Sequence, residues 1–579
     1  MKNIRGILVF ILTLGLATQL GLGGIEATAA TTCDFANYKA QNSRVKNLSS
    51  YDVVIYGGTP SGVAAARSAA ELQKRVLLLS ESNTFGGAIS NGLSATDVGL
   101  IHSNVGLAKT YLDDLRRYYR TDSNRSEPRV AECIFRNWLK SPLISLGTEI
   151  QLDTATFRNS KITSITLHSK ANPDSVQVFG KTFIDASYAG DLMFASGAKT
   201  HLGMTDFYSY GEVLTGKRRF TKLFSLKKVT EIAKAKKAFE QIPHVIVKDV
   251  KDSNTAMITQ GLPSFTYRLC ITKEKANRIA FSKDANYDSY APAWRIFMNN
   301  HPGYKSDPDV TVNSNGTILT QLWRIAKLPN GKYDLNTHYS SFTNLTMPRE
   351  YFDKPETRPE ILSKFAGYLQ SFLWFIQNDP SVPDSEQRTL ANFGLCADEF
   401  VDNGGWPEQP YLREGRRLVG KKTLTTADIF GSRYKDDAVA VGSYPLDSKS
   451  TIFTYINGSY LRDRSELVSA PMYEIPLSAM IPKAGPTNLI VSVGISASPS
   501  AFASLRMEPQ FIQLGQAAGI AAALASKSNG EISNDLAKRV RASLARANGF
   551  MGIQTICKGL KTSNGYLFTR FCLGQVNPR

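Results

Sequence analysis

The run Gly57-Gly58-Thr59-Pro60-Ser61-Gly62 has the residue types needed to hold a diphosphate. A phosphate must come within hydrogen-bond reach of main-chain N–H groups at the start of a helix, where the dipole favours negative charge. Gly57 supplies the tight turn, and Gly62 lets the following helix lie close to a strand. Thr59 stands where the G-x-G-x-x-G pattern has its middle glycine, so a side chain narrows the approach and Gly58 beside it compensates. Ser80 and Glu81 follow by about 20 residues, where a carboxylate accepts hydrogen bonds from ribose hydroxyls. A nucleotide-free α/β crossover would use the same turn, so the flanking elements decide between the two.

Those elements are consistent. Asp52–Tyr56 is an apolar, β-branched run of the kind that forms a buried parallel strand. Val63–Leu72 is a helix of small residues, and Val76–Leu79 a second buried strand. Strand, glycine turn, helix and strand with an acidic end make a dinucleotide-binding unit. Phe85-Gly86-Gly87 adds a second glycine pair, which suits a loop passing over the rest of an FAD. Together GGTPSG and FGGAISNGLSATDVG resemble the FAD-dependent oxidoreductase family of the glutathione-reductase-like flavoprotein fold, in a branch with many secreted members.

The resemblance implies an α/β fold: a Rossmann-like three-layer FAD-binding domain assembled from both chain ends, with a large inserted substrate or cap domain. Phe183–Asp191 resembles the family's strand end that closes over the adenosine and diphosphate, which makes Asp185, Gly190 and Asp191 candidates. Near the C-terminus, the strand Leu489–Val493 and the helix Phe511–Ala525 resemble the family again. Gly515, Gln516 and Ala517 are then expected to let that helix approach the flavin, whose reduced form helix N–H groups stabilise. Relatives commonly carry histidine where this chain has Pro499, so an acid–base group at that position is missing and the catalytic base is unassigned. Of His102, His168, His201, His244, His301 and His338, none lies in a recognisable motif or follows the Gly86–Gly87 pair, so FAD is expected to be non-covalent.

Further stretches of likeness are Glu127–Phe135, Phe265–Cys270, Leu328–Lys332 with Asp334 and Asn336, the helix before Asn378, and Asp398–Arg417. Arg413 and Arg416 fall on one face if helical. They make either a surface salt-bridge cluster or a flavin-pocket lining that polarises a substrate oxygen or stabilises reduced flavin. Arg506 is the third catalytic candidate.

The 579 residues, 42% hydrophobic and 20% charged, hold two or three globular domains. Lys2 and Arg5 before the apolar Ile7–Leu16, with Ala27-Thr28-Ala29 as the exit, read as a signal peptide over 1–29 and predict a secreted or periplasmic protein. No later stretch is apolar enough to span a bilayer. The FAD-binding domain is expected over 50–202 and 471–526, the insert over 203–470, and a basic tail over 527–579 with a helix at Leu536–Ala547. Cys557 and Cys572 are the expected disulfide, while Cys270 and Cys396 read as buried thiols. Without a C-x-x-C pair, a thiol–disulfide reductase has no support.

The net charge of +18 draws on Lys217, Arg218, Arg219, Lys222, Lys227, Lys228, Lys234, Lys236, Lys237, Lys248 and Lys251. A solvated helix face is the ordinary reading; attraction to an acidic envelope surface or polysaccharide comes second. Nucleic acid is not expected, since no nucleic-acid motif accompanies the charge. No metal is expected, because no ligand spacing occurs. The chain therefore reads as an exported FAD-dependent oxidoreductase passing a hydride from a small organic substrate, a sugar or hydroxy compound, to flavin N5. Oxygen, a quinone or a carrier protein is the expected acceptor, as a second glycine-rich unit for NAD(P)H is not visible. The alternative is a flavin-containing binding protein or redox-neutral flavoenzyme whose basic insert holds an acidic polymer.

Overall fold

The computed structural model describes Cys33, Phe35 and residues 45–572, apart from 171, 204–211, 213–219, 249–261, 263, 305–309, 338–341, 432, 450–452, 464–465, 529, 534, 548 and 551. The signal peptide, Lys217, Arg218, Arg219, Lys251 and His338 lie outside the described residues.

The central sheet starts with β1 (Ser49–Tyr56), continues through α1 (Pro60–Glu71) and returns in β2 (Val76–Leu79). After α2 (Leu107–Tyr119) and α3 (Pro128–Trp138) come β3 (Ile144–Gly147), β4 (Ile150–Arg158), β5 (Lys161–Ser169) and β6 (Asn172–Asp185). Strands β3, β2, β1 and β6 run parallel in that order, and β7 (Leu489–Val491) joins the far side of β6. Alternation along each strand divides its side chains between two cores. Val53, Ile55, Val76, Leu78 and Ile184 face the helices, whereas Val54, Tyr56, Leu77, Leu79 and Phe183 pack with Ile150, Leu152, Ile165 and Leu167 of the β4–β5 meander. This gives the three layers anticipated from the sequence.

The C-terminal part completes the helical layer. In α5 (Glu508–Ala525), Gly515 and Gly519 lie against the backbone of Ser61 and Ala65 in α1, where a Cβ on either would collide with a carbonyl oxygen. The following α6 (Leu536–Arg546) sends Leu536, Val540 and Leu544 into the same core. Beyond it, Ile553, Leu560 and Phe571 pack on Leu100, Val441 and Met472, and Cys557 is bonded to Cys572 with Cα atoms 5.9 Å apart. The expected tail is thus an integral part of this half.

The insert has its own core. A seven-stranded antiparallel sheet contains Leu269–Thr272, Trp323–Lys327, Lys332–Thr337 and Gly394–Cys396. The long helix over Arg358–Asn378 packs Tyr368, Phe372 and Phe375 around Trp294. A four-stranded sheet pairs Phe220–Ser225 with Ser459–Asp463. The span 203–470 is not one body, because Leu424, Ile429, Val439 and Ala440 return to the nucleotide-side core. A second disulfide, Cys33–Cys133, absent from the sequence expectations, ties the N-terminal lead-in to α3. Cys270 and Cys396 are buried thiols. Among the described residues no helix is long and apolar enough to cross a membrane.

Lys332, only 1% exposed, joins the two halves: its Nζ lies 2.7 Å from Glu127, 2.8 Å from Asp398 and 2.6 Å from Glu399. Arg129 pairs with the same three carboxylates. These acids are grouped closely enough to hold a metal, but the lysine ammonium takes the shared position. Removing one partner of a buried ion cluster leaves uncompensated charge. Lys332→Met is therefore expected to lower the unfolding free energy in urea by about 3 kcal/mol. A loss near zero would show that the two halves dock without it.

Candidate functional site

The Gly57–Gly62 turn caps α1 with its own side chain. The Thr59 hydroxyl donates to the Ala186 carbonyl (2.8 Å) and accepts from the Gly62 N–H (3.2 Å), with Pro60 at the first helical position. The threonine hydroxyl therefore sits over the start of α1, taking the Gly62 N–H, and ties it to the residue that follows β6. Gly57 has φ of +121°, and a Cβ on it would strike Ala186; one on Gly62 would strike the Gly57 carbonyl. Gly58 sits against the Ser80 side chain, and the Ser61 hydroxyl bonds Ser492 (2.8 Å) beyond β7.

The second glycine pair lies directly across this turn. The N–H groups of Gly86 and Gly87 both donate to the Gly58 carbonyl, at 2.7 and 3.2 Å. Asn91 stitches the loop, donating to Thr84 and Gly87 and accepting from the N–H groups of Glu408 and Gln409 in the insert. Two side chains that sequence reasoning did not single out hold the polar groups here. The Tyr188 hydroxyl accepts from the Ala88 N–H (2.9 Å) and donates to Glu508 (2.8 Å). Arg358, from the insert, pairs with Glu81 (2.8 Å) and with Asp191 (2.6 Å). Burial pushes Glu81 up, and the charge of Asp191 adds to this; burial acts on Asp191 too, but Arg358 outweighs it and holds that carboxyl low.

Several of the expected cofactor residues also make internal contacts. Ser80 donates to the Thr84 carbonyl (2.8 Å) and so closes its own loop. Asp185 accepts from Ser187 N–H (2.9 Å), Ser187 Oγ (2.7 Å) and Met193 N–H (2.7 Å), which folds the 186–193 loop back on the strand end. Gly190, with φ of +79°, makes the bend in that loop. Gly515 abuts Ser61, the Gln516 side-chain Oε1 accepts from Leu107 N–H (3.1 Å), and Ala517 is fully buried in the helical core. At these three residues, expected to let the helix approach the flavin, the contacts the structure shows are with α1 and α2. Its N-terminus at Glu508 is what reaches Tyr188 and the glycine loop. Pro499 opens the short helix Pro499–Leu505, capped by Ser498.

The candidate arginines separate. Arg416 starts a strand paired with Thr200–Leu202 rather than a helix, bonds Asp353 and lies 3.7 Å over the Phe194 ring, at the Asp191 end. Arg413 and Arg506 meet at the other end, joined by Arg268. Arg506 donates to the Tyr411 hydroxyl (2.8 Å) and to Asp447 (3.2 Å); Arg268 grips Asp334 at 2.9 and 2.5 Å. Arg413 lies 5.1 Å from the Tyr411 ring centre and donates to the Ser264 carbonyl (3.0 Å). Burial lowers its guanidinium to about 10. Tyr411 in turn packs with Ala88, Leu93 and Tyr188 of the glycine-loop region. Tyr188, Arg268 and Tyr411 all lay within stretches of family likeness, and Arg358 opens the helix before Asn378, another of them; what none of them carried was a sign of its partner.

The family model described as FAD dependent oxidoreductase matches residues 52–544. The chain belongs to that family. None of the curated proteins matches it. Among solved structures it is similar to a geranylgeranyl bacteriochlorophyll reductase-like protein from Thermoplasma acidophilum, at 11% identity over 86% of this chain and 84% of that one, with TM-score 0.33. It is also similar to FrdA of E. coli quinol fumarate reductase, at 8% identity over 89% and 75%, with TM-score 0.34. As a family member the chain is an enzyme and takes FAD as its cofactor. The turn fits that group, since Thr59 takes only the Gly62 N–H of the helix start and Glu81 follows two residues after β2.

Two outcomes test this geometry. Thr59→Ala removes a cap and is expected to cost about 1 kcal/mol of stability, with the ratio of flavin to protein absorbance unchanged; a lost flavin would assign the hydroxyl to the cofactor. Burial pushes Glu508 up to about 8, with its Oε2 buried and without a partner among the described residues. An unfolded glutamate ionises near pH 4.3. Unfolding then releases a proton between these values, so stability falls as pH rises from about 5 to 8. The melting temperature of Glu508→Gln relative to the parent is expected to climb across that window and level off above it. A constant difference would mean that Glu508 is charged in the fold.

Proposed function

We propose that the chain is an exported oxidoreductase that withdraws a hydride from a small organic substrate, a sugar or hydroxy compound, with FAD bound non-covalently. The observation that carries this reading is the capped turn, with the helix start turned toward the glycine loop. FAD, when bound, supplies the two-electron chemistry at its N5. The main chain over Gly58–Ser61 would hold its diphosphate, and Glu81 its ribose, at the place where Arg358 now pairs. Glu508, neutral below about pH 8, and the Tyr188 hydroxyl bonded to it give the site a buried pair able to hold a proton, in a chain without histidine at position 499. The seam between glycine loop and insert excludes water from that pair, as both residues are buried or nearly so.

Export is supported by the two disulfides, which suit an oxidising compartment. Oxygen, a quinone or a carrier protein fits as electron acceptor. Lys222, Lys227, Lys228, Lys234 and Lys237 are exposed on the insert, and a weak attraction to an acidic envelope surface would follow from them. They also favour the second reading, a redox-neutral flavoprotein that binds an acidic polymer.

The test is the visible spectrum of the purified protein before and after acid precipitation, followed by anaerobic addition of sugars and hydroxy acids. Flavin bands released to the supernatant and bleached by one of the substrates are the expected result. Flavin that no substrate bleaches, together with tight binding of polygalacturonate, would favour the second reading. A colourless protein that takes up no added FAD would overturn both.

A further inference from the structure

We propose that Arg413, with Arg506 and Tyr411, binds a carboxylate group of the substrate at the seam between the glycine loop and the insert. This rests on the oxidoreductase reading and narrows its substrate class to carboxylic acids, such as hydroxy or sugar acids.

Arg413 is 6% exposed, yet no carboxylate lies within salt-bridge distance of it among the described residues. Its nearest polar partner is Ser264, through a main-chain carbonyl and, at 3.5 Å, a hydroxyl. The other cations of the cluster are matched: Arg268 with Asp334, and Arg506 and Lys449 with Asp447. Asp97 adds its charge to Arg268 and Arg506. Among the described residues four cations thus face three carboxylates, and Arg413, which feels the charge of Asp447 without an ion pair of its own, carries the excess. Burying a cation without a counter-ion is costly unless an anion completes the site.

The missing anion is a monoanion. One surplus charge is neutralised by a carboxylate, whereas a phosphate dianion would overshoot it. A guanidinium offers a planar fork that matches two carboxylate oxygens, and Tyr411 stands beside it with its hydroxyl fixed by Arg506. The position is also right for a substrate. Tyr411 touches Ala88 and Leu93 of the glycine loop, and a Cβ on Gly92 would strike the Arg268 carbonyl. Arg506 lies two residues before Glu508 at the start of α5. Lys449, 40% exposed, marks the side open to solvent. Sites of this kind sit at domain seams with a few convergent polar groups.

The experiment titrates the full-length, flavin-loaded protein with the monoanion propionate and with its neutral amide, reading binding by calorimetry and by the melting temperature. Propionate is expected to bind and raise the melting temperature, and the amide to do neither. Arg413→Gln should weaken propionate about tenfold or more, and Arg413→Lys should retain part of the affinity. Without ligand, Arg413→Gln should melt no lower than the parent, because it removes an unmatched buried charge. Equal propionate affinity in parent and Arg413→Gln would overturn the proposal. So would sulfate binding as tightly as propionate, or an Arg413→Gln protein that melts far lower while still answering to propionate. Colour is scored separately: a colourless protein with Arg413-dependent propionate binding upholds the anion site and overturns the oxidoreductase reading alone.

Discussion

The ammonium of Lys332 fixes the geometry on which the rest of the site depends. It belongs to a strand of the insert, but it is held by Glu127 of the nucleotide half and by Asp398 and Glu399 of its own half. Residues two apart on a strand share a face, so Asp334 points the same way and meets Arg268 and the Ala95 N–H. One strand face therefore docks the insert and orients the arginine cluster together. A one-residue slip would turn both groups away from the seam, which buried charge makes prohibitively costly. Such a cluster adds little net stability compared with apolar packing; what it supplies here is a single docking register.

Two charged ends result from this docking. At one, Glu81 and Asp191 gather Arg358, with Arg416 nearby on Asp353. At the other, Arg268, Arg413 and Arg506 surround Tyr411. The capped helix start and the glycine loop lie between them, tied to both by Tyr188. An elongated cofactor with ribose hydroxyls at one end and a ring system that gains negative charge at the other matches this order of groups. The acidic end accepts hydrogen bonds from hydroxyls, and the basic end favours anions.

What the sequence disclosed was local. The β1–α1–β2 unit follows from a β-branched run, a glycine turn and a second apolar run. The Cys557–Cys572 bridge was also legible, since its partners are 15 residues apart. Contacts that join distant segments were not. Arg358 meets Glu81 across 277 residues, and Tyr188 meets Glu508 across 320. No periodicity encodes such pairs. The small residues of α5 were read as making room for a flavin, when the nearer demand is the α1 backbone: close helix packing and close ligand approach call for the same residue types. The spacing of Leu536, Val540 and Leu544 was an available sign that the tail is core, one apolar face at helical period.

An unmatched buried arginine needs a reason to persist. Substitutions that replace such a charge with an apolar or neutral side chain are commonly stabilising, and they are easily reached in sequence. Around Arg413 the fold has instead neutralised every neighbouring cation and held Tyr411 and Ser264 against it. The remaining charge is thus a localised cost carried by two well-packed cores and two disulfides. Stability given up at one buried position and made good elsewhere is the pattern expected where a side chain serves a ligand. The same reasoning applies to Glu508, whose second oxygen is buried at the start of α5 without a partner among the described residues. Glu508 reaches the glycine loop through Tyr188, and Arg413 through Tyr411, so two ionisable groups without an ion pair among the described residues converge on one seam.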